Sequence, residues 1–206
     1  MKKILAVLSI FAVFSTSAMA FEMYLGGALG IFKPNATFED SIGGNHLEMD
    51  YKLSYSGAVD LHVYFNDYVG IHGTVNGMYQ ETDSVTILTD EYKIKSVSVM
   101  LGVGLAGKIP LGEVVEIYGN AGPAWVYSSM DMDVNGSASY DDLDSPSTLG
   151  FYGDLGVRFL PLPTLYVGAN VRYIYAKKDI TTPNDYKIGN YDLGGFAFMA
   201  NIGVKF

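Results

Sequence analysis

The sequence predicts an all-β fold: an eight-stranded antiparallel up-and-down transmembrane β-barrel with short periplasmic turns and four long extracellular loops. Three observations predict it. Apolar residues alternate with small or polar ones in eight separate stretches, the period-two signature of a strand. Short connections near residues 67, 111 and 162 take turns with long polar ones near 42, 86, 139 and 184. A membrane barrel requires that order and a soluble sandwich does not. Beyond the N-terminal segment, nothing approaches the ~18 continuous apolar residues of a membrane-crossing helix.

The length of 206 residues suggests one domain. With 49% hydrophobic residues and 24 Gly, the chain is too apolar to be disordered and too interrupted for a helical bundle. Residues 1–20 read as a secretory signal peptide: basic Met1-Lys2-Lys3, an apolar run from Ile4 to Phe14, and an A-x-A site ending at Ala20. A membrane anchor is the other reading, but the run is short and ends in small residues. Residues 21–206 are then the barrel domain. Losing Lys2 and Lys3 takes the formal charge from -9 to -11. So acidic a chain has no basic stripe for phosphates, which excludes nucleic acid as a partner. Without Cys there is no disulfide, thiolate nucleophile or Cys-ligated metal. No cofactor is expected.

The strands follow in order. Phe21 to Phe32 is the first, with Phe21, Met23, Leu25, Leu29 and Ile31 on one face. A long loop is expected from Lys33 to about Tyr51. In the second, Leu53, Tyr55, Val59, Leu61, Val63 and Phe65 oppose Ser54, Ser56, Ala58, Asp60, His62 and Tyr64, and Asn66-Asp67 makes a tight turn. The third covers Val69 to Tyr79 and leads into a polar loop to Glu91. The fourth alternates from Ser96 and Val97 and runs to Ile109, before the turn Pro110-Leu111-Gly112. The fifth covers Val114 to about Met130. Pro123 in its middle cannot donate to a ladder, so a bulge or local disruption is expected there. An acidic loop follows to Ser147. The sixth sets Leu149, Phe151, Leu155, Val157 and Phe159 against Gly150, Tyr152, Asp154, Gly156 and Arg158, ending at Pro161-Leu162-Pro163. The seventh runs from Leu165 to Tyr175, and a loop over residues 177–190 precedes the closing strand, Phe196 to Phe206.

The apolar face should look outward to lipid. It carries large side chains on all eight strands, while an eight-strand interior holds little more than small side chains. The charges Asp60, Glu116, Asp154, Arg158, Arg172 and Lys205 fall on the small-residue face. Facing lipid they would cost roughly 2–4 kcal/mol each near the midplane, whereas in the lumen they can pair. Aromatics gather at the strand ends, Tyr55, Tyr79, Trp125, Tyr127, Phe151, Tyr173 and Tyr175 towards the loops and Phe65, Phe159 and Phe206 towards the turns, as in two interfacial girdles.

The signal peptide, the eight alternating strands, inward–outward pairs such as Val171-Arg172-Tyr173, and the terminal Phe206 after Val204 and Ile202 resemble the OmpA/OmpX-type outer-membrane β-barrel domain. The resemblance covers the whole mature chain. It implies the outer membrane of a Gram-negative bacterium, contact with outer-membrane lipid and lipopolysaccharide, and a closing strand read by the barrel-assembly machinery through Ile202, Val204 and Phe206. Full-length OmpA carries a further domain that is not expected here, so peptidoglycan binding is not implied.

Three candidate sites follow. The lumen charges form either a paired packing network or an ion path. His62 and His72 face inward on neighbouring strands and read as core histidines satisfied by Asp60 or Tyr64, rather than as the base of a lipid-modifying enzyme. Asp131, Asp133, Asn135 and Asp142 match the start and twelfth position of a D-x-D-x-N-G calcium loop. The flanks are strands and the last ligand is the shorter Asp, so a solvated acidic loop is the better reading. The functional expectation is a non-enzymatic surface or membrane-stabilising protein whose acidic loops meet a host or cell-surface ligand. The alternative is a narrow channel for ions or very small solutes, and an outer-membrane lipid-modifying enzyme is the remote one. Deleting Phe206 is expected to impair assembly, read as loss of the heat-modifiable gel shift and of membrane insertion. Normal folding and insertion without it would refute the role.

Overall fold

The computed structural model describes residues 21–206 except 36, 43–44, 51, 82–84, 88–89, 135–136, 144–146 and 182–186. The proposed signal peptide, residues 1–20, lies outside the described residues. Every regular element described is a strand: β1 (Glu22–Pro34), β2 (Thr37–Ile42), β3 (Asn45–Asp50), β4 (Ser54–Tyr64), β5 (Val69–Glu81), β6 (Val85–Ile87), β7 (Asp90–Pro110), β8 (Val115–Val134), β9 (Ser137–Leu143), β10 (Thr148–Leu162), β11 (Leu165–Tyr175), β12 (Lys177–Thr181), β13 (Lys187–Asp192) and β14 (Gly195–Lys205). Eight of them close a ring in the order β7-β5-β4-β1-β14-β11-β10-β8, and β8 returns to β7. All these pairings are antiparallel. At the seam the chain ends meet: Met23 N donates to Phe206 O (3.2 Å) and Phe206 N to Met23 O (2.9 Å). Closure leaves no unpaired edge, which the hydrocarbon would not tolerate.

The eight expected strands are the ring strands, but the expected long loops are themselves partly β. β2 pairs with β3, β6 folds onto β7, β9 folds onto β8, and β12 pairs with β13. β13 also pairs with β2 through Gly189↔Asp40 and Asn190↔Glu39, so the first and last connections share one four-stranded sheet. β7 and β8 run to 21 and 20 residues, about twice the ~10 needed to cross hydrocarbon, and project beyond it. The sequences of these segments carry no sustained period-two apolar stripe, so they read as loops.

Side-chain phase is uniform around the ring. Leu29, Val59, Leu105, Phe151, Leu155 and Phe198 point out and are exposed; Tyr24, Arg172, Ile174 and Ala197, at 0% exposure, point in. An apolar outside around a polar inside is the arrangement lipid demands. The interior is graded along the barrel, with buried polar and charged groups between its two ends. Towards the turns it is aromatic and charged. Towards the loops it is closed by Phe32, Met78, Met100, Val126, Ile174 and Leu193.

The short turns have local causes. Asn66 Oδ1 accepts from the N–H groups of Tyr68 and Val69, both at 2.8 Å, an Asx-type turn. Gly112 has φ +89°, which favours Gly at that turn. At Pro123 the structure shows an interruption and no bulge: the β7–β8 register is the same on either side (Gly102↔Ala124, Leu105↔Ala121), with two pairs missing between. Beside it β7 and β8 approach so closely that a Cβ on Gly122 would overlap the Val103 carbonyl oxygen. Gly73 faces open space. Gly122→Ala is therefore expected to lower the urea midpoint of the refolded protein, by about 1–3 kcal/mol of stability. Gly73→Ala should leave it within about 0.5 kcal/mol.

Candidate functional site

The lumen-facing phase of β4, β5, β10 and β11 brings one guanidinium against two carboxylates. Arg172 lies directly across the β10–β11 ladder from Asp154. Its Nε and Nη2 donate to Asp154 Oδ2 (3.1 and 2.7 Å), and Nη2 also to Asp60 Oδ1 (2.7 Å) on β4, three strands away around the ring. Nη1 donates to Thr74 Oγ1 (2.9 Å) and Asn76 Oδ1 (3.0 Å) on β5. Asp60 Oδ1 also meets His72 Nε2 at 3.1 Å, and His72 Nδ1 meets the Tyr152 hydroxyl at 2.8 Å. Asn170 Nδ2 donates to the other oxygen of Asp154 at 2.9 Å. Every nitrogen of Arg172 is thus used, as a buried cation requires.

Nearer the turns the pairing departs from the simple expectation. Arg158 lies opposite Glu116 in register, yet Glu116 is taken by Lys108 Nζ (3.1 Å) and the Tyr24 hydroxyl (2.9 and 3.0 Å). Lys108 also pairs with Glu22 at 2.7 Å, and Lys205 pairs with Glu22 at 2.6 Å. Lys205 therefore belongs to the periplasmic rim and not to the Arg172 cluster. Arg158, 1% exposed, has no carboxylate partner among the described residues. Its Nη2 lies 2.8 and 3.0 Å from the His62 ring nitrogens, and its guanidinium carbon stands 3.9, 4.5 and 5.2 Å from the ring centroids of Tyr118, Tyr24 and Tyr166. Aromatic faces compensate part of a cation's lost hydration. Nε and Nη1 of Arg158 have no hydrogen-bond partner, although the Tyr64 hydroxyl is close enough to interact electrostatically. Four carboxylates (Glu22, Asp60, Glu116, Asp154) thus share the described lumen with four cations (Lys108, Arg158, Arg172, Lys205).

The model of the outer membrane protein beta-barrel domain family matches residues 4–206. The chain belongs to that family. It is an outer-membrane protein of the Gram-negative type. No curated protein sequence matches it. Among solved structures it is similar to the outer membrane protein OprG of Pseudomonas aeruginosa, at 15% identity and TM-score 0.63, covering 91% of this chain and 97% of that one. It is also similar to Ail, the attachment invasion locus protein of Yersinia pestis, in a complex with the heparin analogue sucrose octasulfate (17% identity, TM-score 0.47, 90% and 97% covered). Neisserial surface protein A gives 17% identity, TM-score 0.43 and coverage of 90% and 97%. At these identities the likeness is one of fold.

Within this family barrel, His62 and His72 are cross-strand partners with ring centroids 4.4 Å apart. His72 is held by Asp60 and Tyr152; His62 is held by Arg158 and by Asn120 Nδ2 at 3.1 Å, and it stacks on Tyr64. Ile202 and Val204 point outward on β14, and Phe206 follows at the rim, 70% exposed. Of the calcium-loop residues, Asp131 and Asp133 belong to β8 and Asp142 to β9; their side chains, and Asn135 altogether, lie outside the described residues. Among the described residues no three His, Asp or Glu side chains gather as a metal cluster would.

Sequence reasoning missed Lys108, Glu22 and Tyr24 as members of the ionic lumen. Each is in inward phase, Lys108 two residues beyond Ala106, so extending the alternation to the strand end finds them. Replacing Arg172 with Met strands Asp60 and Asp154 and is expected to cost about 3–5 kcal/mol. Replacing Arg158 with Met strands no carboxylate and should cost no more than about 1 kcal/mol. Urea titration in lipid vesicles measures both; equal losses would show that Arg158 has a counter-charge of comparable weight.

Proposed function

We propose that the protein is a non-enzymatic, non-conducting outer-membrane barrel that stabilises the membrane and meets other surfaces through its extracellular loops. The filled lumen carries this reading. Asp60, His62, His72, Met100, Val126, Asp154, Arg158, Arg172 and Ile174 are all under a tenth exposed, which supports a lumen filled by side chains rather than an open path for solutes. The loops carry the accessible chemistry. Glu39, Asp40, Glu48 and Asp50 have no Lys or Arg between them, and neither do Asp131, Asp133, Asp141, Asp142 and Asp144. An acidic rim suits a cationic surface or bridging divalent cations and repels polyanions. The D-x-D-x-N-G segment of residues 131–142 fits that use. The histidines do not suit lipid chemistry, because they are enclosed where no lipid reaches them.

A channel would need the Arg172 network to open. In a planar bilayer the folded protein is expected to give no discrete openings. Openings that vanish when Arg172 or Asp154 is neutralised would overturn the plugged reading. On immobilised surfaces the folded protein should retain cationic peptides in a salt-sensitive manner and ignore sulfated glycans. A variant with shortened loops should lose that retention; unchanged retention would remove the loops from the function.

A further inference from the structure

The two buried histidines of the lumen have unlike surroundings. They are cross-strand partners on β4 and β5, with ring centroids 4.4 Å apart. His72 meets an acid and a hydroxyl: Asp60 Oδ1 lies 3.1 Å from its Nε2, and the Tyr152 hydroxyl 2.8 Å from its Nδ1. His62 meets nitrogen groups instead. Arg158 Nη2 stands between its two ring nitrogens, 3.0 Å from Nδ1 and 2.8 Å from Nε2, and Asn120 Nδ2 is 3.1 Å from Nε2.

A neutral imidazole keeps one bare nitrogen that accepts; a protonated one has two N–H groups and accepts nothing. Whichever way the Asn120 amide is turned, Arg158 can only donate, so it needs the bare nitrogen. A proton added there sets N–H against N–H and cation against cation. The ring is also fixed in place. Tyr64 stacks on it at 6.1 Å and Tyr118 meets it edge-on at 5.5 Å, so turning the ring disturbs both.

The charges nearby offer no compensation. The titratable and charged groups facing His62 are Asp60 and Tyr64 on its own strand, Tyr24 on β1, His72 on β5, Tyr118 on β8, Arg158 on β10 and Arg172 on β11. Asp60 is the one carboxylate in that set, and Arg172 (2.7 Å) and His72 (3.1 Å) already hold it. Lys108, 4.8 Å from the Tyr64 ring centroid, is paired with Glu116. The four carboxylates and four cations of the described lumen balance while both histidines are neutral. A proton on His62 is then a surplus charge in an enclosed space.

We propose that His62 is an acid-sensitive pin: a proton taken up by its imidazole unseats it from Arg158 and loosens the turn side of the lumen, so the barrel is firm at neutral pH and weakened in acid. The loops have no part in it. The unfolded chain binds that proton near the ordinary histidine value of ~6.5, whereas the folded barrel binds it only by giving up the Arg158 contact. The stability is therefore fully present above that value. It falls as pH drops through it, by up to about tenfold in the folded-to-unfolded ratio per pH unit.

The test uses the mature full-length protein refolded in phospholipid vesicles, with urea unfolding followed by the fluorescence of Trp125, the single tryptophan. His62→Gln keeps an acceptor for Arg158 and takes no proton. His72→Gln removes the other buried histidine. Carboxylates and His46 are common to all three proteins and cancel in the comparison. Between pH 7.5 and 5.5 the wild type should lose about tenfold more of its folded-to-unfolded ratio than His62→Gln does, and His72→Gln should keep that loss. An equal loss in His62→Gln, or a loss abolished by His72→Gln instead, overturns the proposal. If His62→Gln does not fold, nitrogen-15 spectra of the wild-type imidazoles decide: His62 should show one bare nitrogen in the folded barrel at pH 7.5 and at pH 5.5. A doubly protonated His62 ring in the intact barrel at either pH overturns the proposal.

Discussion

The ion cluster of Arg172 with Asp154 and Asp60 is the constraint on which the rest of the interior depends. An eight-stranded ring encloses only enough space for side chains, so a charge placed there is cut off from bulk water. Arg172 solves this by using all three nitrogens on four acceptors from β4, β5 and β10. Each acceptor is then fixed in turn. Asp60 orients His72, and His72 engages Tyr152 across the lumen. The attraction between the charges largely offsets their desolvation. Losing one partner therefore costs more than the intact cluster adds to net stability.

Arg158 shows the other way to keep a cation inside. It has tyrosine faces and a histidine in place of a carboxylate, and two of its nitrogens remain unbonded. The interior is consequently graded. Ion pairs and tyrosines occupy the turn side, the Arg172 cluster the middle, and methionines and aliphatics the loop side. Buried groups flank the histidines on both sides, Tyr24, Tyr64 and Tyr166 towards the turns and Phe32, Met100 and Ile174 towards the loops. This grading directs attention away from the lumen as a route and towards the loops.

Much of this was legible in the sequence because lipid imposes one rule on every strand. Leu149 to Phe159 alternates at every position but Gly153, so the strand and its outward face follow from the residues alone. Partners were less legible. The lumen charges could be listed but not paired: Arg158 and Glu116 face each other in register, yet Lys108 reaches Glu116 from β7 instead. Which cation wins depends on side-chain reach across the lumen, and no periodicity encodes it. The hairpins β2–β3 and β12–β13 were illegible for a different reason: their sequences place charges in both phases, as at Glu39-Asp40 and Lys177-Lys178, so no face stands out. Pro123 marked the right place for a disturbance, yet the close approach of Gly104 and Gly122 that accompanies it depends on two strands together.

The closing strand joins these themes. β14 pairs with β1, the most distant partner in sequence that the ring contains, so their contact carries the largest loop-closure cost and is naturally late. Its two faces then serve different needs. Inward, Lys205 meets Glu22, which Lys108 ties to Glu116, so one cluster spans β14, β1, β7 and β8 at the turn end. Outward, Ile202, Val204 and Phe206 stay bare. A strand whose inner face completes an ion cluster only on closure, while its outer face is apolar from the start, can be recognised by assembly machinery before it is locked. Alternation, which first identified the strand, thus also separates what is proposed to be read during assembly from what holds the barrel shut afterwards.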